Sequence, residues 1–273
     1  MRKTGFLQQF AAVFRDLPRD LSVALSLARR DLLAEIRVSK LGLLWPLVYP
    51  IAYTAFFLLL RPAFSAGADA LSAKTVLFVF VGFSLWQVWF ESLNQQLEAL
   101  RRNWILVSRA QLSGAAIFFS GVMLALYHTA VRLAVVCIVA LILLPVAPLD
   151  LLAFVLFAVV VPINGAVFGL LLQPIATLQR DVVRVVQSLS LALLVSGAVF
   201  FALPANLSET IRSILALNPL ASLLDESRSH LLGTVPLFPR EALLWIAVTL
   251  LVMPLQLVAH KRMLPVLVER LGN

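Results

Sequence analysis

Charged residues are scarce in this chain. Only 13% of its 273 residues are charged, 61% are hydrophobic, and the mean hydropathy is +0.96. These values lie far outside the range of ordinary soluble domains. A helix needs about 20 apolar residues to cross roughly 30 Å of hydrocarbon, so the chain has room for about six membrane spans but for no large soluble domain.

Residue types that serve catalysis and metal binding are also rare. None of the four lysines completes a glycine-rich phosphate loop ending in Gly-Lys-Ser/Thr, so we expect no ATP hydrolysis by this chain. The three histidines are isolated, the single cysteine is Cys137, and no acidic pair recurs at metal or general-acid spacing. We therefore predict that the chain is not an enzyme, has no catalytic residue or metal site and binds no cofactor.

Six apolar stretches predict an all-α membrane protein with six transmembrane helices, at about residues 43–60, 76–93, 121–144, 151–172, 185–203 and 242–259. No continuous apolar stretch occurs in the first twenty residues, so we expect no cleavable signal before the first span. With the N-terminus in the cytoplasm, the inner segments hold 16 basic residues and the outer segments five. This asymmetry predicts that both termini are cytoplasmic, and it explains the net charge of +8 without nucleic acid.

The predicted spans divide the chain into a cytoplasmic segment of residues 1–42, one transmembrane domain of residues 43–260 and a tail of residues 261–273. Residues 211–232 are too polar to cross alone, so we expect a re-entrant or surface-lying helical pair on the outer side before the last span. The first segment contains an amphipathic helix along the inner leaflet, which is either a plain anchor or also a docking surface. Its apolar face repeats at helical spacing: Leu21, Ala24, Leu25, Ala28, Leu32 and Ile36.

A second helical stripe lies between the second and third spans, at Leu93, Leu97, Leu100 and Trp104. It predicts a short cytoplasmic helix. Such a helix is either part of an ordinary solvated loop or a rigid lever for a separate motor protein, and we favour the lever.

Aromatic residues are dense in the first two spans. Tyr49 and Tyr53 are four residues apart and Phe83 and Trp86 three apart, so each pair shares a helix face. Sugar rings have apolar faces that can slide across aromatic platforms without one fixed hydrogen-bond pattern. Packing and interfacial anchoring are the alternative explanation, because Trp and Tyr collect at membrane interfaces.

Glu91 and Arg132 are the only formal charges placed inside predicted spans. A charge near the bilayer centre costs about 2.5 to 3.5 kcal/mol on insertion scales, so both side chains should face protein or water. In the fourth span, Gly165 and Gly169 form a small-xxx-small step, which permits close approach of another helix.

Two sequence elements resemble the ABC-2 type permeases that export bacterial polysaccharides. The first is Arg30-Asp31-Leu32, followed by Ser-Lys-Leu-Gly-Leu-Leu-Trp at residues 39–45 and by Pro50. The second is Leu217-Asn218-Pro219-Leu220, followed by Glu226, Arg228 and Leu232-Gly233. The six-span layout and the loop at residues 98–109 extend the resemblance over nearly the whole chain.

The resemblance implies a homodimer in the bacterial inner membrane that binds two ABC ATPase subunits, which hold the ATP and Mg²⁺. A lipid-linked polysaccharide, O antigen or capsule in the first instance, would pass between the copies. The alternatives are another ABC-2 cargo such as a drug, lipid or teichoic acid, a carrier driven by an ion gradient, and a glycan-handling membrane enzyme.

The resemblance also implies roles for particular residues. The coupling helix on the ATPase would contain Leu97, Leu100, Arg101, Arg102 and Trp104. The cytoplasmic gate helix would contain Arg29, Arg30 and Asp31, and the outer gate Asn218, Pro219, Glu226 and Arg228. The glycan path would be lined by Tyr49, Tyr53, Phe83, Trp86 and Arg132.

Overall fold

The computed structural model describes residues 6–38, 44–64, 72–110, 112–201 and 208–272, and this part of the chain contains helices and no strand. The helices in chain order are α1 (Phe6–Val38), α2 (Trp45–Phe64), α3 (Ala73–Arg102), α4 (Trp104–Ala110), α5 (Gly114–Leu143), α6 (Pro148–Leu178), α7 (Asp181–Ser188), α8 (Ser190–Ser196), α9 (Glu209–Ala216), α10 (Pro219–Leu232) and α11 (Pro239–Gly272).

Helix α3 lies at the centre of the bundle and packs most closely on α6. The backbone of α3 at Trp89 and Leu93 lies directly against Gly165 and Gly169 of α6, where a Cβ atom would collide with the Trp89 and Leu93 carbonyl oxygens. The predicted close helix approach is therefore confirmed, and α3 is the partner. Small residues allow such contact because no side chain separates the two backbones.

Side-chain hydrogen bonds show that α3 and α6 run parallel. Trp89 Nε1 donates to Asn164 Oδ1 at 2.8 Å, and further along both helices Arg101 Nη2 donates to the Thr177 carbonyl at 2.7 Å. Helix α5 is antiparallel to α3, since Gln96 Nε2 near the end of α3 donates to the Phe118 carbonyl near the start of α5. We call the end of the bundle that holds the end of α3, the start of α5 and α4 the basic end, because Arg101, Arg102 and Arg109 lie there.

Four of the six predicted spans are confirmed as helices long and apolar enough to cross a membrane, namely α3, α5, α6 and α11. The first predicted span corresponds to α2, whose apolar part, Trp45–Leu60, is shorter. The predicted fifth span, residues 185–203, is interrupted at Leu189 and its helix ends at Ser196. A turn at residues 197–201 follows, because Gly197 ends α8 and Ala198 has a φ of 50°. Residues 39–43 and 202–207, which include the start of the first span and the end of the fifth, lie outside the described residues.

The predicted amphipathic helix is the C-terminal half of the longer helix α1. Its small residues Ala24 and Ala28 are buried, while Leu25 and Ile36 are exposed, so only part of the predicted apolar face packs on protein. Polar contacts fix α1 along its length to α11, α5 and the α3–α4 turn. They join Asp16 to Lys261, Asp20 to Ser113, Arg30 to Asn103 and Glu35 to His128.

The predicted short cytoplasmic helix at residues 93–104 is wrong as a separate element. These residues continue α3 without a break as far as Arg102, because Leu97 and Leu100 are buried in the bundle and extend its core. The helix ends where Asn103 donates both its backbone N–H and its side-chain amide to the Ala99 carbonyl. The separate short helix is the next one, α4.

The glycine contacts predict that two Gly→Ala substitutions differ in their effect on stability. Gly165→Ala would place a methyl group against the Trp89 backbone, which cannot move alone, so we expect a loss of about 1–3 kcal/mol and a lower melting temperature in detergent. Gly121→Ala is the control, because its methyl group would meet the end of the flexible Gln96 side chain. Equal melting temperatures for the two variants would contradict the close α3–α6 contact.

Candidate functional site

An aromatic groove lies between α2, α3 and α8. Tyr49 and Tyr53 of α2 form one wall, and Phe83 and Trp86 of α3 form the floor. These are four of the five residues predicted for the glycan path, and they line one cavity of about 360 Å³. The other lining residues are Gln87, Phe90, Glu91, Ser190, Leu191 and Leu194.

The aromatic rings of the groove form a continuous series. Trp86 stacks on Phe90 with a centroid distance of 5.5 Å and lies 5.3 Å from Phe83, which in turn stacks on Tyr53 at 4.6 Å. The series continues away from the basic end through Phe200, whose ring is 5.9 Å from that of Phe83. Tyr49 and Tyr53 are about half exposed and can meet a flat apolar ligand surface, whereas Phe83 beneath them is buried.

Unused polar atoms are also present on the groove floor. Trp86 Nε1 and Gln87 Oε1 are buried and have no hydrogen-bond partner within the described residues. Gln87 Nε2 donates to Glu91 Oε1 at 2.7 Å, so the Gln87 side chain is held in place while its oxygen stays free. Buried polar atoms normally have partners, so these two atoms are exceptions next to a row of aromatic rings.

Arg132 joins three helices at the end of the groove nearest the basic end. Its guanidinium contacts both Glu91 oxygens, with the shortest distance 2.9 Å, and its Nε donates to the Pro46 carbonyl of α2 at 2.8 Å. That carbonyl is free because the residue four positions on is Pro50, which has no N–H to donate. Glu91 and Arg132, which we expected to face protein or water, therefore pair with each other. Pro50 of the first sequence element explains why the Pro46 carbonyl is free to accept from Arg132.

The four predicted outer-gate residues lie together on α10, at the end opposite the basic end. Asn218 caps α10, its Oδ1 accepting from the Leu220 N–H at 3.0 Å, and Pro219 occupies the first turn. Arg228 is 3% exposed and its guanidinium lies 4.2 Å above the Phe78 ring. Glu226 is buried beside His230, with 3.4 Å between Oε1 and Nε2.

Burial shifts the ionisation of this outer cluster. It raises the pKa of Asp225, although the carboxylate accepts hydrogen bonds from the backbone N–H groups of Leu237 and Phe238 at the start of α11. It also raises the pKa of Glu226. Burial lowers the pKa of Arg228 to about 10, so this side chain keeps its charge at neutral pH.

The predicted coupling residues do not form one exposed surface. Leu97 and Leu100 are buried, and Arg101 donates to the Ala176 and Thr177 carbonyls at the end of α6. A cation there satisfies carbonyls that have no partner within the helix. Arg102 is exposed and Trp104 half-buried.

The predicted cytoplasmic gate residues Arg29, Arg30 and Asp31 lie on α1. Arg29 and Arg30 are exposed and Asp31 is partly exposed. Arg30 pairs with Asp31 and also reaches Asn103 in the α3–α4 turn, at 3.4 Å. This part of α1 therefore contacts the turn before α4.

No protein-family model matches the sequence, and no curated protein matches it. The resemblance of the two sequence elements to ABC-2 type polysaccharide permeases stays a prediction.

The sequence analysis missed several residues of the groove region, among them Gln87, Ser190 and Phe200. Gln87 is one residue from Trp86 and one helical turn before Glu91, so a search for polar residues on the same face would have found it. Ser190 and Phe200 reach the groove only through the break at Leu189 and the turn after Ser196, which periodicity does not predict.

The Arg132 contacts predict non-additive effects on stability. Glu91→Leu leaves the buried Arg132 unpaired and should cost roughly 3–5 kcal/mol, whereas Arg132→Met should cost less because the Glu91 side chain that remains keeps 41% exposure. The double variant Glu91→Leu/Arg132→Met should melt at a higher temperature than Glu91→Leu alone, because no unpaired charge is left inside the protein. Additive losses in detergent melting curves would show that the two charges do not depend on each other.

Proposed function

We propose that this chain is the membrane-spanning subunit of an ABC exporter that moves a lipid-linked surface polysaccharide out of a bacterial cell. A separate ATPase subunit would supply the ATP hydrolysis. The observation that supports this proposal best is the aromatic groove, in which the four tyrosine, phenylalanine and tryptophan residues singled out from sequence line one cavity.

The chemistry of the groove favours a sugar polymer over a purely apolar cargo. Aromatic rings match the apolar faces of pyranose units, and the exposed tyrosines Tyr49 and Tyr53 and the partly exposed Glu91 carboxylate offer polar groups to sugar hydroxyls.

A second copy of the chain would complete the path. On α2 and α8, the apolar side chains that flank the groove are exposed, among them Ile51, Phe56, Leu191 and Val195. Two grooves that face each other across such a surface would enclose a conduit wider than either cavity. The resemblance implies the same dimer, with membrane lipid around it and both termini in the cytoplasm.

The exposed residues of α4 are a better candidate for the ATPase docking site than the residues predicted from sequence. Ile105 and Arg109 are exposed on α4, and Arg102 is exposed just before it, at the basic end. Arg30 of α1 contacts the same turn through Asn103, so movement of α4 would reach α1 directly.

The cargo is tested by deleting the gene and analysing lipid extracts by mass spectrometry together with staining of surface glycan. We expect loss of the surface glycan and accumulation of a glycan linked to a lipid inside the cell. Unchanged surface glycan, with no trapped glycan-lipid, would contradict polysaccharide export and favour another ABC-2 cargo.

Groove variants in the complemented deletion strain test the path itself. Trp86→Ala and Tyr53→Ala should lower surface glycan several-fold, because each removes an aromatic ring on which a sugar unit would stack. Phe14→Ala is the control, since Phe14 is an exposed aromatic residue on α1, away from the groove. Equal export by Tyr53→Ala and Phe14→Ala, at equal protein levels, would contradict a role of the groove in export.

Charge reversals separate docking from stability. Arg102→Glu together with Arg109→Glu should lower co-purification of the ATPase while the melting temperature stays unchanged, because both side chains are exposed. Arg101→Glu should instead lower the melting temperature, since it would place a negative charge on the carbonyls that end α6. Arg240→Glu, exposed at the opposite end, is the control; loss of the ATPase in this control would contradict docking at the basic end.

A further inference from the structure

The second sequence element, from Asn218 to Arg228, contacts one short turn at two points. Asn218 Nδ2 donates to Ser196 Oγ at the end of α8, at 3.1 Å. Arg228 Nη1 donates to the Ala198 carbonyl at 3.0 Å, with the Val199 carbonyl 3.5 Å away. The turn that follows α8 is therefore held by the cap of α10 and by a buried cation of the same helix.

This turn has a conformation that needs external support. Ala198 has a φ of 50°, which is left-handed backbone that an L-residue with a side chain rarely adopts. Behind the turn, Gly82 of α3 has no side chain, and a Cβ there would lie 2.5 Å from the Val199 carbonyl oxygen and 3.2 Å from the Arg228 guanidinium carbon. The turn thus fits a space made by Gly82 and is fixed there by Arg228.

The turn places Phe200 over the end of the aromatic groove that is opposite the basic end. The Phe200 ring stacks on Phe83 of the groove floor at 5.9 Å and on Phe57 of α2 at 4.7 Å. Phe57 is one helical turn beyond Tyr53, on the side away from the Glu91–Arg132 pair. The Phe200 ring therefore spans from α2 to Phe83 on the groove floor, just beyond the residues that line the groove.

We propose that Phe200 is an outer plug of the aromatic groove and that Arg228 is the positioning residue that holds the plug closed through the 198–199 carbonyls. Helix α10 and the plug then move together, so that displacement of the α9–α10 pair opens the groove at this end. The proposal rests on the proposed function only in taking the groove as the substrate path.

Thiol labelling tests the plug without cargo or ATPase. The labelling site is Ser190→Cys, in a Cys137→Ala background that removes the native thiol. Ser190 lines the groove at the start of α8, between the basic end and the turn. The protein is expressed in spheroplasts of a host that lacks the cargo and the ATPase, where a charged, membrane-impermeant maleimide reaches it only from the end opposite the basic end. Phe200→Ala should raise the labelling rate about tenfold or more, because a local opening step is no longer required.

Phe201→Ala is the matched control, because Phe201 is exposed and meets Phe57 edge-on outside the groove. It should label at the parent rate. An unchanged rate for Phe200→Ala, or an equal increase for both variants, would overturn the plug.

The role of Arg228 is tested by Arg228→Met, which keeps most of the volume and removes the donors. It should also speed labelling, and the double variant with Phe200→Ala should label no faster than Phe200→Ala alone. A further increase in the double variant would show that Arg228 acts on general stability and would overturn the positioning role.

If Arg228→Met does not fold, Gly82→Ala tests the same link, because its methyl group would push on the Val199 carbonyl. Faster labelling in Gly82→Ala supports the link, and the parent rate overturns it. Since no substrate is present, loss of the labelling effect rejects the plug alone, whereas unchanged surface glycan in the deletion strain rejects the exporter alone.

Discussion

The backbone contact between α3 and α6 is the constraint on which the rest of the structure depends. Gly165 and Gly169 bring α6 so close that side chains along the seam can bond across it, as Trp89 does with Asn164. Asn164 also donates to Thr249 of α11, so a buried polar chain crosses three helices. Without a hydrophobic driving force between apolar helices in lipid, close packing and interhelical hydrogen bonds of this kind determine how the helices associate.

The groove results from the way the neighbouring helices are distributed around α3. The face with Gly82, Trp89 and Leu93 is taken up by α6, α10 and the turn after α8. The aromatic residues Phe83, Trp86 and Phe90 lie beside this face, on the side of α3 towards α2 and α8, and these two helices do not fill the space. A cavity remains, lined by rings that elsewhere in the bundle would be packed against a neighbour.

Much of the fold was predictable from composition and periodicity. Helices α3, α5, α6 and α11 are long and strongly apolar, and such segments have one low-energy structure in a bilayer. The break at Leu189 carries no signal in the apolar run. The turn after Ser196 was not predictable because it is held by contacts from α10, which is distant in sequence. The end of α3 was misjudged for a related reason, since Gln96 and Arg101 look like solvent-facing residues until their partners on α5 and α6 are known.

The candidate site, like the fold, was only partly predictable from the sequence. The aromatic spacing on α2 and α3 was enough to select residues that share one groove, because helical periodicity fixes which side chains point the same way. It gave no information on which helix would face them. The role of Pro50 could have been inferred in principle, because a proline inside a helix always frees a carbonyl, but not that Arg132 would be its donor.

The Glu91–Arg132 pair also bears on how the chain enters the membrane during synthesis. Glu91 belongs to α3 and precedes Arg132 of α5 by 41 residues, so the carboxylate is already in place when the arginine leaves the ribosome. The later helix can then insert next to an earlier one that offers its counter-charge, which lowers the cost of placing a cation in hydrocarbon. Because α3 precedes α5 along the chain, the helix with Glu91 is available as a partner when the helix with Arg132 inserts.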